Sequence, residues 1–293
     1  MIPPANTEKY PMKLVRFGAA GAEKPGLLAK DGTIRDLSGV ISDITPETLK
    51  NGAIDAIAKV DAASLPVVPA GTRLGPVVNG TRNFIAVGLN YVDHAHETNM
   101  PIPAEPILFN KAPNCIVGPN DNVTIPKGSE KTDWEVELAI VIGKTASYVS
   151  EADAISYVAG YSVCHDVSER AFQTERGGQW MKGKGSPTFG PLGPWLVTPD
   201  EIEDIQNLDM YLDLNGQRVQ TGNTKTMIFG VAHLVSYISQ FLQLDPGDVI
   251  TTGTPPGVGM GMKPPRFLKA GDKVRLGIQG LGDQEQEFVA YKG

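Results

Sequence analysis

Residues 133–142 read DWEVELAIVI, an apolar run broken by Glu135 and Glu137. Alternate side chains of a strand share a face, so the two carboxylates point the same way, with Ala139 and Val141 after them. Val136, Leu138 and Ile140 take the opposite face. The acidic face is thus apolar further along, which places it part-buried. Two carboxylates roughly 7 Å apart in such a setting are costly unless something positive stands between them. A hard divalent cation meets that need, because it favours carboxylate oxygen. Taken alone, the pair also has a plainer reading, since most acidic strand residues sit on a solvated face.

A third carboxylate strengthens the first reading. Asp166 follows the apolar run 159–164, at the end where a strand hands its side chains to a cleft. Three carboxylates plus waters suit octahedral Mg²⁺ or Mn²⁺ better than Zn²⁺. His165 alternates to the other face and reads as a neighbour rather than a ligand. If 92–99 is helical, His94 and Glu97 stand three apart on one face. The Glu carboxylate can then hold the imidazole tautomer while the other ring nitrogen takes a proton from water. The alternative is an exposed polar helix with incidental charges. His96 points elsewhere and reads as solvated. Lys184, in the glycine-flanked stretch 180–185, is either a reach toward an anionic substrate or a solvated loop lysine. The segment 252–259 (TGTPPGVG) follows a strand and offers backbone N–H groups and a hydroxyl. It lacks the Gly-Lys-Ser/Thr of a phosphate loop and the spacing of a dinucleotide fingerprint, so it is not read as a nucleotide site.

Around these residues the chain is rich in strands and shows no alternating strand–helix rhythm, which argues against a doubly wound sheet. Strands are expected at 13–17, 26–30, 84–88, 134–142, 159–164, 249–252, 273–278 and 287–291. Asn215-Gly216 marks a hairpin between 210–214 and 217–221. A helix is expected over 46–60, a long buried one over 227–242, and a short one opened by a capping box at Thr198–Glu201. Prolines at 66, 69 and 76 mark an extended link. The chain therefore divides into a loose arm (1–11), a small N-terminal α+β domain (12–75) and a main domain (80–293).

A net charge of −7 disfavours nucleic acid, which needs a basic patch. No apolar run approaches the roughly 20 residues of a membrane helix, so no membrane partner is expected. The N-terminus lacks a signal-peptide layout, and the two cysteines, Cys115 and Cys164, read as reduced thiols. A cytoplasmic location is expected on those grounds.

The motifs fall in an order that resembles the fumarylacetoacetate hydrolase family from about residue 80 to the end. They are Gly88-Leu-Asn-Tyr91-x-x-His94-x-x-Glu97, Glu135-x-Glu137, and His165-Asp166-Val-Ser-Glu-Arg170-x-x-Gln173. Lys184, Phe189-Gly-Pro191 and Thr252-Gly-Thr-Pro-x-Gly257 complete the set. The resemblance implies an α+β, β-rich fold, an incomplete β-barrel or roll with a smaller N-terminal α+β domain. It implies Mg²⁺ (or Mn²⁺) on Glu135, Glu137 and Asp166, and His94 with Glu97 as a water-activating pair on a lid. It makes Lys184 a catalytic contact and Tyr91, Arg170, Gln173, Gly253 and Thr254 substrate contacts. A homodimer or higher even oligomer is usual for the family. One departure stands out: after the lysine the family pattern is Ser-Phe-Asp, where this chain has Gly185-Ser186-Pro187.

The implied activity is metal-dependent hydrolysis of the C3–C4 bond of a small 2-keto acid with a second carbonyl at C4. The stretch Gly257-Val-Gly-Met-Gly261-x-Lys263-Pro264-Pro265 resembles a bacterial branch of sugar-acid breakdown. That points to 2,4-diketo-3-deoxy-L-rhamnonate or -fuconate, giving pyruvate and lactate. Oxaloacetate decarboxylation, tautomerisation and dehydration of a 2-keto-3-deoxy acid are alternatives on the same site. A non-catalytic metal- or ligand-binding β module is the alternative of another class.

Overall fold

The computed structural model describes residues 12–97 and 100–293. The arm expected over 1–11, and residues 98–99 of the expected 92–99 helix, lie outside the described residues. Two sheets dominate. The ten-stranded sheet runs Ile34–Asp36, Lys24–Leu28, Lys13–Phe17, Gly190–Val197, Val158–His165, Val136–Ile142, Val249–Thr251, Phe84–Gly88, Ile107–Lys111. The short strand Ile116–Val117 pairs beside Gly190–Val197 in parallel. The second sheet has five strands, in the order Gln217–Asn223, Asp209–Leu214, Lys273–Ile278, Gly282–Ala290, Val123–Ile125. Helices are few and short, and neither sheet closes into a barrel.

Val136–Ile142 is buried at every position, as an apolar strand flanked on both sides must be. Its antiparallel register with Val158–His165 sets Cys164 opposite Glu137 and His165 opposite Val136. The next residue, Asp166, therefore arrives beside Glu135, and its N–H donates to the Glu135 carbonyl at 3.0 Å. The strand expected to begin at 134 begins at 136. Side chains take the backbone donors there: Asp133 accepts from Trp134 N–H at 2.8 Å and Gln220 from Val136 N–H at 3.0 Å.

The hairpin forms as expected, with Asn215 at φ 52° and Gly216 at φ 81°, the positive pair a tight two-residue turn requires. Three helix expectations also need correction. The helix over 46–60 is two, Pro46–Lys50 and Ala53–Ile57, because Gly52 sits at φ 82° between them. The helix over 227–242 is Val231–Ser239 only. Ahead of it, the N–H groups of Ile228 and Phe229 pair with Asn90 at 2.8 Å each, which holds that stretch extended. Thr198 opens a 3₁₀ turn, Pro199–Glu201, without a side-chain cap; its hydroxyl accepts the Met12 N–H instead.

The N-terminal strands extend the large sheet. Lys13–Phe17 pairs with Gly190–Val197, and Leu14 joins the same core cluster as Phe84, Ile140 and Leu234. Each such buried side chain contributes about 1.5–3 kcal/mol, against the entropy of ordering it. Among the described residues, no helix is long and apolar enough to cross a membrane.

Candidate active site

Glu135, Glu137 and Asp166 each offer an oxygen within 4.8 Å of the others, and all three side chains are buried. Cations surround two of them. Lys184 Nζ lies 2.6 Å from Glu135 Oε2 and 2.7 Å from Asp166 Oδ2. Arg170 sets Nη2 2.7 Å from Glu135 Oε1 and Nε 2.8 Å from Asp133 Oδ2. Lys111 Nζ stands 2.6 Å from Asp166 Oδ1 and donates to the Lys184 carbonyl at 2.6 Å. Glu137 differs. Among the described residues no ion pair reaches it, and its Oε2 accepts the Gly253 N–H at 2.9 Å.

The electrostatics follow from these contacts. Burial alone would raise Glu135, but the Lys184 and Arg170 charges hold it well below the usual carboxylate range. Burial raises Glu137 well above that range, and the charges of Asp166 and Glu135 add to the effect. A buried carboxylate beside two others, short of one positive partner, is what a hard cation stabilises. The donor set therefore fits a divalent metal ion bound by oxygen.

The three carboxylates line a cavity of about 250 Å³. Arg170, Gln173, Lys184, Gly253 and Thr254 give the rest of its charged and polar lining, and Val87, Leu89, Met100, Phe109, Trp180 and Met260 its apolar lining. The two meet where Lys184 Nζ lies 5.4 Å from the Phe109 ring centroid. Trp180 and Phe109 meet edge to face with centroids 5.2 Å apart. The strand beneath must carry glycine at 88, where a Cβ would lie 2.4 Å from the Trp180 ring.

His94 reaches the cavity from the Val92–Glu97 helix. Its Nδ1 is 3.1 Å from Glu97 Oε2, and Glu97 Oε1 accepts the Gly257 N–H at 2.9 Å. The loop 257–261 that receives Glu97 is anchored by Asp133, whose two oxygens accept the N–H groups of Gly259 and Met260 at 2.7 and 2.9 Å. A Cβ at Gly261 would come within 3.0 Å of the Glu97 carboxylate, so the loop and the acid are in close contact.

The family model for the C-terminal part of fumarylacetoacetate (FAA) hydrolase matches residues 83–289. The chain belongs to the fumarylacetoacetate hydrolase family. A protein of Burkholderia lata, whose name specifies nothing finer than a hydrolase, is 57% identical over 94% of this chain and 98% of its own. Among solved structures, a fumarylacetoacetate hydrolase of the psychrophile Exiguobacterium antarcticum superposes with a TM-score of 0.86. It is 35% identical, covering 96% of this chain and 100% of that one. A maleylpyruvate hydrolase of Sphingobium sp. SYK-6, solved with manganese(II) and pyruvate, is 28% identical. Its TM-score is 0.77, covering 96% of this chain and 100% of that one.

Of the site residues expected for a fumarylacetoacetate hydrolase family member, the structure gathers all but one at the cavity or beside it. Arg170 and Gln173 share the Arg170–Thr174 helix and are joined by a 3.1 Å hydrogen bond from Nη1 to Oε1. Thr254 Oγ1 donates to the Val136 carbonyl and accepts from Gln220 Nε2. Lys184 is 2% exposed on the short Met181–Lys184 helix, so Gly185-Ser186-Pro187 does not carry it away. Tyr91 is the exception. It is fully buried, with its hydroxyl 3.2 Å from Met210 Sδ, and is not among the residues lining the cavity. Its ring joins the main core cluster, and its backbone bridges Met227.

His165 behaves as its alternation implies: it is buried, with Nδ1 2.8 Å from Gln286 Oε1. Burial holds its pKa at about 4 despite that hydrogen bond. His96 is exposed. Sequence reading missed Lys111, Asp133 and the apolar lining. Lys111 carried a signal, a lysine closing the strand ILFNK whose other residues are all uncharged. Asp133 directly precedes the acidic strand.

Proposed function

We propose that this protein hydrolyses the C3–C4 bond of a 2,4-diketo acid of acylpyruvate type, releasing pyruvate. One observation carries the reading: three converging buried carboxylates face the His94–Glu97 pair across one small cavity. A plain ion-binding module has no need of that pair. The manganese and pyruvate in the Sphingobium structure support it.

Glu135, Glu137 and Asp166 would hold Mg²⁺ or Mn²⁺. When bound, such an ion supplies Lewis-acid polarisation of the 2-keto acid end. His94, its tautomer held by Glu97, takes a proton from water, and the water oxygen bonds to C4. The C3–C4 bond breaks with its electron pair on C3, giving pyruvate enolate and a carboxylic acid. The Lys184 ammonium faces the charge growing on the C2 oxygen. A proton returned to C3 completes pyruvate. Arg170, Gln173, Gly253 and Thr254 orient the substrate.

The best match among substrates is 2,4-diketo-3-deoxy-L-rhamnonate or -fuconate, which would give pyruvate and lactate; the 257–265 resemblance supports it. The test is pyruvate release from a panel of 2,4-diketo acids with Mg²⁺ or Mn²⁺ present. Release from at least one is expected. Loss of the enol absorbance without pyruvate would reassign the site to isomerisation. Metal binding with no turnover of any 2-keto acid would leave a binding module.

A further inference from the structure

We infer that the acyl end of the substrate, beyond C4, is uncharged and mainly apolar, and that the cavity discriminates against a second carboxylate there. The inference rests on the orientation proposed above, with the 2-keto acid end at the charged lining. What remains for the acyl group is the apolar lining from Val87, Leu89, Met100, Phe109, Trp180 and Met260, and the ammonium that lies over the Phe109 ring, Lys184, is already ion-paired with Glu135 and Asp166. The two lining hydroxyls are engaged: Thr174 Oγ1 donates to the Arg170 carbonyl at 2.9 Å and Thr254 Oγ1 to the Val136 carbonyl at 3.0 Å.

No lining cation is spare for a distal carboxylate. Arg170 is committed to Asp133 and Glu135, and Lys184 to Glu135 and Asp166. Nearby Lys182 is exposed and donates to the Arg176 carbonyl. Three lining carboxylates, two lining cations, a divalent ion and one substrate carboxylate balance to zero. A second carboxylate would leave one negative charge in excess against an apolar lining, an expensive arrangement. The volume of about 250 Å³ lies below the roughly 300–1,000 Å³ of drug-sized pockets, which favours a short acyl group.

Two six-carbon 2-oxo acids without a C4 carbonyl isolate the effect: 2-oxohexanoate ends in a methyl group, 2-oxoadipate in a carboxylate. Neither can be cleaved at C3–C4. Calorimetry on the Mg²⁺-loaded protein should find 2-oxohexanoate bound at least about tenfold tighter. Met260→Lys, which adds a cation to the apolar lining, should narrow or reverse that ratio. Equal or tighter binding of 2-oxoadipate by the natural chain overturns the inference. If pyruvate is nevertheless released from acylpyruvates, the hydrolytic reading survives that result. Binding of neither acid would sink both.

Discussion

The charged lining and the His94–Glu97 pair are held in different ways. The carboxylates stand at strand ends of the large sheet, where register sets Asp166 beside Glu135, and Arg170 and Lys184 reach them from two short helices. These side chains are buried, and the cations are paired with Glu135 and Asp166. The His94 side is lighter. A helix of six residues stands over the cavity, and Glu97 meets the facing loop through one N–H. A group that must hold a charge in place is built where the backbone cannot shift. The pair proposed to activate water sits instead on a short helix that faces a loop.

The metal-facing carboxylates and the His94–Glu97 pair should therefore fail differently. Removing divalent ions with EDTA should abolish turnover, and Mg²⁺ or Mn²⁺ should restore it. Unchanged activity in the chelated protein would show that the charged lining does not act through a metal. His94→Ala should lower kcat roughly 10²–10⁴-fold while Mn²⁺ affinity by calorimetry stays put. A parallel fall in ion affinity would merge the carboxylates and the pair into one unit. Lys111→Met leaves Asp166 Oδ1 and the Lys184 carbonyl without their buried lysine partner. Ion affinity should drop roughly 10–100-fold, with partial recovery in Lys111→Arg; an unaltered affinity would make the lysine a bystander. Gly261→Ala should be mildest. Its methyl group crowds the Glu97 carboxylate, and kcat should fall about tenfold with ion affinity intact.

The sequence revealed the charged lining far better than its supports. Glu135 and Glu137 share a face because of a period of two, a local property. Asp166 is legible because it ends an apolar run. The Asn215-Gly216 turn is equally local. What escaped depends on distant pairing. Lys111 meets Asp166 from 55 positions away in the chain, and nothing near residue 111 announces the partner. Tyr91 sits inside a motif that suggested substrate, but its surroundings are decided by Met210. The helix expected at 227 starts at 231 because Asn90 claims the preceding backbone. At 52 a local signal was present, and a glycine inside an expected helix broke it.

The pairing of Lys13–Phe17 with Gly190–Val197 bears on how this polypeptide can be shortened. Trimming it to the family-matched stretch 83–289 would bare the backbone donors and acceptors at Leu196 and Val197 and remove Leu14 from the interior. An unprotected strand margin recruits other strands. Such a fragment should therefore clump during expression even though every proposed catalytic side chain is still encoded in it.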